Sequence, residues 1–424
     1  MPTCAASVCG SRPMQEGGRL NGTTSYYLKL KNMKIARVKN QIIKFFIRNG
    51  NATNNDLAKE FALSVPTVSK IISEMMDEGF VNEYGKLETG EGRHPNLYGL
   101  NPDSAYFVGV DMMPDTVSMV LMNFRGDLVE LSMDVPLKVE NTEESLDALC
   151  GKVVEFINGL SVDKSKIGAV NLNISGRVNP FTGYSYSMFN FSEAPLTELL
   201  SEKIGCPVYI DNDSRAMAYG EYMKCDHSLV RNMLFINLSW GLGMGIIVNG
   251  KVYRGKSGYS GELGHVHAFD NEILCHCGKK GCLETQVSGR AFHRLVMECL
   301  QRGEASSLQK QFKANKPITY TDLIRAANHE DMLCCNVVET MGNQLGEHLA
   351  GIINIFNPDT VVIGGKMSLL GDMLVHHIRS GIMKYSLNLV NQDTRFCLSQ
   401  LKEKAGVVGA AMLARSAVLG DNVQ

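Results

Sequence analysis

The 424 residues predict an α/β protein with a short helical segment and a β-hairpin in front of it. Three observations carry that reading. Apolar residues recur at helical spacing from Lys34 to Gly79. Apolar runs of strand length then alternate with helical patterns: Ala169 to Ile174, Val208 to Ile210, Met233 to Leu238 and Thr360 to Ile363. The length also exceeds what one core supports, so two or three domains are expected.

Residues 1–30 are rich in Gly, Ser, Thr and Asn and show no period, so they read as a disordered lead. Residues 31–100 form the first expected domain. Ile35, Val38, Ile42, Phe45 and Phe46 mark one helix, which Asn49-Gly50-Asn51 ends. Thr53 opens a second, with Asp56 placed for a capping box and Leu57, Ala58 and Phe61 on its apolar face. Ala62-Leu63-Ser64 is a turn. Pro66 then occupies the first turn of a third helix, where a missing N–H costs nothing. Val68, Ile71, Ile72 and Met75 form its inner face, and Gly79 stops it. Phe80-Val81 and Leu97-Tyr98 bracket a polar, Gly-rich loop that suits a β-hairpin wing. From residue 101, three strands are expected: Tyr106 to Val110, Val117 to Asn123 and Leu128 to Met133, with Arg125-Gly126-Asp127 as a turn.

The net charge is only -2, so any nucleic-acid contact must come from a local patch. One exists: eight basic residues and no acidic one lie between Arg19 and Arg48. The Thr53–Gly79 stretch has helix-turn-helix proportions, a fold that lays its second helix in the major groove of double-stranded DNA. Ser64, Thr67, Ser69 and Lys70 would project from the leading end of that helix, and Lys86, Arg93 and His94 from the wing. The competing reading is a helical bundle used for protein contacts.

No apolar run is long enough to span a bilayer, and no charged segment followed by an apolar stretch opens the chain. A cytoplasmic protein without membrane partners is therefore expected, with its twelve cysteines reduced. Only Cys275, Cys277 and Cys282 cluster. With His265 they form H-x9-C-x-C-x4-C, three thiolates and one imidazole, which satisfies tetrahedral zinc without an open position. The expectation is a structural Zn2+ in a knuckle over 265–284, and the alternative is a reduced loop without metal.

The Gly261-Glu262-Leu263-Gly264-His265 run followed by Cys275-His276-Cys277-Gly278-Lys279-Lys280-Gly281-Cys282-Leu283-Glu284 resembles the signature of the ROK family. Gly92-Arg93-His94-Pro95 resembles the wing of that family's regulators. The likeness covers about residues 35 to 415. It implies a two-lobed actin-like, sugar-kinase (ribonuclease H-like) domain over 101–424, with a sugar held between the lobes. By the same likeness Asn190, Asn212, Asp213, Glu262, His265 and Glu284 are the sugar contacts, and Asp213 would be the catalytic base of a kinase. Amides and carboxylates are what sugar hydroxyls need. Asn212 and Asp213 also read simply as caps of a following helix.

The phosphate loops depart from the family's kinases. Where those have Asp-x-Gly-Gly-Thr, this chain has Asp111-Met112-Met113-Pro114-Asp115-Thr116. Their Gly-Thr-Gly-x-Gly-x-Gly corresponds to Ser239-Trp240-Gly241-Leu242-Gly243-Met244-Gly245. Lost glycines, a proline and an added carboxylate all disfavour phosphate, so ATP is not an expected cofactor. Two functions follow: a regulator that reads a DNA operator and responds to a sugar or sugar phosphate, or a sugar kinase with an appended DNA-binding domain. The resemblance also implies a homodimer or tetramer, as paired half-sites require.

Overall fold

The computed structural model describes residues 34–87 and 95–420, with backbone alone for 34–36. The expected lead over 1–30, and Arg93 and His94 of the wing, lie outside the described residues.

Helix α1 (Lys34–Asn49) is followed by β1 (Ala52–Thr53), α2 (Asn54–Glu60), α3 (Val65–Asp77), β2 (Val81–Lys86) and β3 (Asn96–Leu100). Local chemistry sets these boundaries. Thr53 Oγ1 accepts from the Asp56 N–H at 3.2 Å while Asp56 accepts from the Thr53 N–H at 2.9 Å, so both free donors at the helix start are used. Ser64 caps α3 by accepting from the Thr67 N–H, and Pro66 follows in the first turn. Ile42, Phe46, Leu57, Val68, Ile72 and Met75 make the core of this unit, closed by the antiparallel sheet β1-β3-β2. Lys39, one of the basic run, is turned inward: it pairs with Glu74 at 3.0 Å and Glu78 at 2.8 Å and is nearly buried. It ties α1 to α3 and does not face solvent.

The remainder folds on two five-stranded sheets. The first uses β4 (Tyr106–Met112), β5 (Thr116–Asn123), β6 (Leu128–Pro136), β7 (Ile167–Ile174) and β10 (Val208–Asn212) in the order β6-β5-β4-β7-β10. A two-stranded hairpin, β8 (Val178–Asn179) with β9 (Tyr184–Ser185), follows β7. The second sheet uses β11 (Met233–Leu238), β12 (Leu242–Val248), β13 (Lys251–Val252), β14 (Thr360–Gly364) and β15 (Arg395–Leu398) in the order β13-β12-β11-β14-β15. Each sheet therefore repeats one plan: an antiparallel meander of three strands, then two parallel strands on the far side of the first. Two lobes of one topology are the arrangement the resemblance implied.

Helices cover the sheets by amphipathic burial. In the first lobe, α4 (Glu143–Gly159) and α5 (Leu196–Ile204) bury Leu146, Leu149, Val153 and Leu200 against Val108, Leu121 and Leu172. In the second, α7 (Gly289–Gln301), α8 (Gln309–Lys313), α9 (Tyr320–Asn328), α10 (Met332–Phe356), α11 (Asp372–Tyr385) and α12 (Asn388–Asp393) surround a large core around Leu345, Leu349 and Ile363. Between the lobes run α6 (Asp213–Tyr222) and α13 (Ala405–Val418). They cross at a glycine pair, where a Cβ on Gly220 would stand 2.9 Å from the Gly409 Cα. Such closeness excludes any side chain.

The N-terminal unit is joined to the first lobe by shared core. Phe80 packs on Phe124 with centroids 6.2 Å apart, and Asn40 donates to the Leu419 carbonyl at 3.0 Å. Tyr219 and Met223, at the end of α6, lie with Ile47 and Arg48 of α1 around a small shared hollow.

Candidate ligand cleft, metal cluster and recognition helix

A cavity of about 270 Å³ opens between the lobes, and α6 points its first turn into it. Asn212, Asp213, Glu262, His265 and Glu284 line its walls. Asp213 sits where β10 turns into α6. Its Oδ2 accepts from the Ser175 hydroxyl at 2.7 Å and its Oδ1 from the Ser214 N–H at 2.7 Å. Burial pushes its carboxyl above the usual range, against the pull of the Ser175 and Ser214 hydrogen bonds. Asn212 is engaged structurally: its Oδ1 caps α6 through the Ser214 and Arg215 N–H groups, and its Nδ2 donates to the Gly176 carbonyl at 3.1 Å. It shapes the wall more than it offers free polar atoms. Glu284 is also held, accepting from the Leu242 N–H at 3.0 Å and facing His276 Nδ1 at 2.9 Å. Burial opposes that charge, but His276 and the Leu242 N–H outweigh it and keep the carboxyl below its ordinary value. Glu262 is the freest acceptor, more than one third exposed.

Asn190 stands apart from the other five. It is exposed, outside the cavity lining, and its Oδ1 accepts from Asn141 Nδ2 at 2.7 Å. The Asn141 Oδ1 accepts the Asn190 N–H in return, so the pair braces the loop after β9. The lining residues that sequence reasoning did not pick as candidates include Ser175, Asn237, Ser260, His276 and Arg290. Only His276 left a signal, by standing between two cluster cysteines.

The two segments that correspond to the kinases' phosphate loops each have a structural role in this fold. The first is a tight β4–β5 hairpin in which the Met113 N–H bonds the Thr116 carbonyl at 2.9 Å, with Met113 and Pro114 as cavity wall. Asp111 is buried behind it, accepting from Asn173 at 3.1 Å; burial raises its carboxyl to about 6, with the nearby Asp213 charge adding to the rise. In the second, a Cβ on Gly243 would lie 2.2 Å from Ser214 Oγ, and one on Gly245 would lie 2.5 Å from the Ser214 carbonyl oxygen. These glycines let α6 press onto β12. The Ser239 and Trp240 carbonyls accept the Gly289 and Arg290 N–H groups at 2.7 and 3.0 Å, tying this loop to the start of α7. Trp240 packs edge-on to Tyr320 at 5.7 Å.

Beside the cavity, one ligand atom each from His265, Cys275, Cys277 and Cys282 falls within 4.8 Å of the others, and this group could hold a metal ion. His265 serves both places. Its Nδ1 lies 3.6 Å from Cys275 Sγ, and its Nε2 lies 3.8 Å from Glu262 Oε2 on the cavity side. Gly281 has φ +73°, and a Cβ there would meet the Phe269 carbonyl oxygen at 2.1 Å, so only glycine lets the chain bring Cys282 back.

On the N-terminal unit, Thr67, Ser69 and Lys70 are exposed on α3 while Val68, Ile71 and Ile72 on its other face are buried. Ser64 is exposed at its start and Lys86 at the end of β2. Among the described residues, no helix is long and apolar enough to cross a membrane.

Comparison with known proteins agrees with this architecture. A family model described as the ROK family matches residues 108–417, and one described as winged helix-turn-helix DNA-binding matches residues 37–82. The xylose repressor of Caldicellulosiruptor bescii is 27% identical over 381 residues, covering 89% of this chain and 95% of that protein. The glucokinase of Halalkalibacterium halodurans is 31% identical over 318 residues, covering 73% of this chain and 95% of its own. A crystal structure of a ROK family transcriptional regulator, a homologue of the Escherichia coli MLC protein, superposes with a TM-score of 0.76 at 26% identity, covering 93% of this chain and 97% of that one. The chain therefore belongs to the ROK family and carries a winged helix-turn-helix ahead of its ROK domain.

Proposed function

We propose that this protein is a sugar-responsive transcriptional regulator of the repressor type, acting on carbohydrate-utilisation genes as a cytoplasmic homo-oligomer. One observation carries the reading: the helix that starts at the cleft's Asp213 ends against the helix that opens the DNA-binding unit. A sugar that favours one arrangement of the lobes has a direct mechanical route to α1. For that sugar to act as a switch it must bind the two arrangements with different affinity.

The roles follow from placement. Ser64, Thr67, Ser69, Lys70 and Lys86 meet operator DNA, with Lys70 and Lys86 on phosphates; Arg93 of the wing belongs to the same set. Glu262 accepts from sugar hydroxyls directly, Asp213 holds a hydroxyl through its remaining lone pairs, and His265 offers Nε2. Glu284 and Asn212 hold the walls, and Asn190 reaches a ligand only if the Asn141 pair opens. In the metal cluster, a tetrahedron with Zn–S of about 2.3 Å and Zn–N of about 2.0–2.1 Å sets its ligands roughly 3.5–3.8 Å apart. The observed 3.6 Å separations of Cys277 from Cys282 and of His265 from Cys275 fit it. Zn2+ there would have four protein ligands and no reactive position, and would stiffen the loop bearing Glu262 and Glu284.

The test joins two measurements. Selection from random double-stranded DNA identifies the operator, and anisotropy then follows its release as D-xylose or D-glucose is added. Sugar should shift operator affinity by several-fold to about a hundredfold, and Glu262→Gln should blunt that shift while leaving sugar-free DNA binding near normal. Failure to enrich any sequence would refute the regulator reading. Sugar-dependent ATP turnover lost in Asp213→Asn would replace it with the kinase reading.

A further inference from the structure

We infer that the cleft continues into a second subsite, built by Tyr186 and Tyr259, that takes the neighbouring ring of a disaccharide or longer glycan; this rests on the sugar-binding reading of the cleft. Both tyrosines are large exposed aromatics, 49% and 39% accessible, and their rings meet edge to face with centroids 6.0 Å apart. They come from different lobes. Tyr186 follows β9 of the first lobe, and Tyr259 lies in the loop after β13 of the second.

Each is anchored to the cavity's own wall. Tyr259 directly precedes Ser260 and Gly261, which line the cavity. The loop is held from beneath, because buried Arg215 donates to the Gly258 carbonyl at 2.6 Å and the Ser260 hydroxyl donates to the Tyr253 carbonyl. Tyr186 donates its N–H to the Arg177 carbonyl at 2.9 Å, and Arg177 in turn donates its N–H to Ser187 Oγ at 2.8 Å. Arg177 adjoins Gly176, which lines the cavity. The pair thus stands at the rim where a substituent on a bound sugar would leave the cleft.

The chemistry selects a sugar ring. The axial C–H face of a pyranose is apolar and electron-poor, and it packs on the negative face of an aromatic ring. Tyrosine adds a hydroxyl at the ring's polar edge. The backbone on either side of the pair is held by these hydrogen bonds, and the two rings already meet edge to face, so less freedom is lost on binding than for two unpaired side chains on mobile loops. Neither tyrosine lines the cavity itself, but exposed aromatic area next in the chain to residues that do fits the apolar part of a ligand groove.

Calorimetry with the full chain tests it, using D-xylose and D-glucose against xylobiose, cellobiose and maltose. At least one disaccharide should bind about tenfold more tightly than its monosaccharide, equivalent to about 1.4 kcal/mol. Tyr186→Ala and Tyr259→Ala should each remove most of that gain and leave monosaccharide affinity unchanged within about twofold. Tyr259→Phe should retain it, which separates ring stacking from loss of fold. Disaccharides binding no better than monosaccharides, or a gain that survives both alanine variants, would overturn the subsite alone. No binding of any of the five sugars would overturn the sugar-binding reading and the subsite with it.

Discussion

Asp211→Asn is the sharpest probe of how this cleft is held. Asp211 is the penultimate residue of β10 and is almost fully buried. Its Oδ1 accepts from Arg215 Nε at 2.7 Å, and its Oδ2 accepts from Arg254 Nε and Nη2 at 3.1 and 2.9 Å. Arg215 lies in the first turn of α6, while Arg254 follows β13, so one carboxylate joins the lobes beneath Asn212 and Asp213. Burial alone would push the Asp211 carboxyl up, but the Arg254 and Arg215 guanidinium charges overcome it and hold the group below its ordinary value. Asparagine keeps the shape and removes the negative charge that both arginines, 1% and 10% exposed, face at Asp211. Breaking a buried pair in this way costs about 3–5 kcal/mol, a large share of a total stability of about 5–15 kcal/mol. The assay is urea unfolding followed by the fluorescence of Trp240, the single tryptophan, which stands in the cavity wall. Because the folded-state value is depressed, Asp211 stabilises above the unfolded value near 3.9 and its contribution is lost as pH falls through the folded one. The difference between wild type and variant should therefore be full at pH 7 and shrink below about pH 4. Adding Arg254→Met should recover part of the loss, since one of the two cations facing the neutral amide is removed. A loss below about 1 kcal/mol at pH 7, the scale of a surface pair, would refute the reasoning.

Four further outcomes are expected. Asp111→Asn should stabilise the protein at pH 8: the wild-type carboxyl is raised by burial to about 6, so the folded state resists its charge, and wild-type stability falls as pH rises from about 4 to about 6. The gain is at most about 3 kcal/mol, read as a urea midpoint difference that vanishes below pH 4. Cys277→Ser should lower bound zinc, measured by elemental analysis, and should destabilise the second lobe; equal zinc in both proteins would remove Cys277 from the ligands. Lys70→Ala should weaken operator binding and flatten its salt dependence by about one charge, and an unchanged slope in an anisotropy titration would take Lys70 off the phosphates. Gly409→Ala places a Cβ 1.9 Å from the Ala216 carbonyl oxygen and should cost about 1–3 kcal/mol in thermal or urea unfolding, with the sugar response weakened as α6 is pushed from α13.

What the sequence determined by itself was local. Thr53 with Asp56, Ser64 with Thr67, and Pro66 set the helix starts, because a cap and its donors lie within three residues of each other. The inner face Val68, Ile71, Ile72 and Met75 is buried as its spacing required. The close cysteines meet because two glycines with positive φ, Gly278 and Gly281, turn the loop between them. Strands were recognised by their apolar runs, though β4 and β10 extend past them through Asp111 and Asp211, whose charges hid strand residues. Tertiary structure alone decided the rest. It turned Lys39 inward to glutamates 35 and 39 positions away, separated Asn190 from the other sugar candidates through Asn141, and set Glu284 on the Leu242 N–H. It also assembled two sheets of the same strand order from segments whose sequences show no repeat. The physical reason is common to all four: a side chain's partner beyond one helical turn depends on which surfaces pack together, and packing is a property of the assembled cores rather than of neighbouring residues.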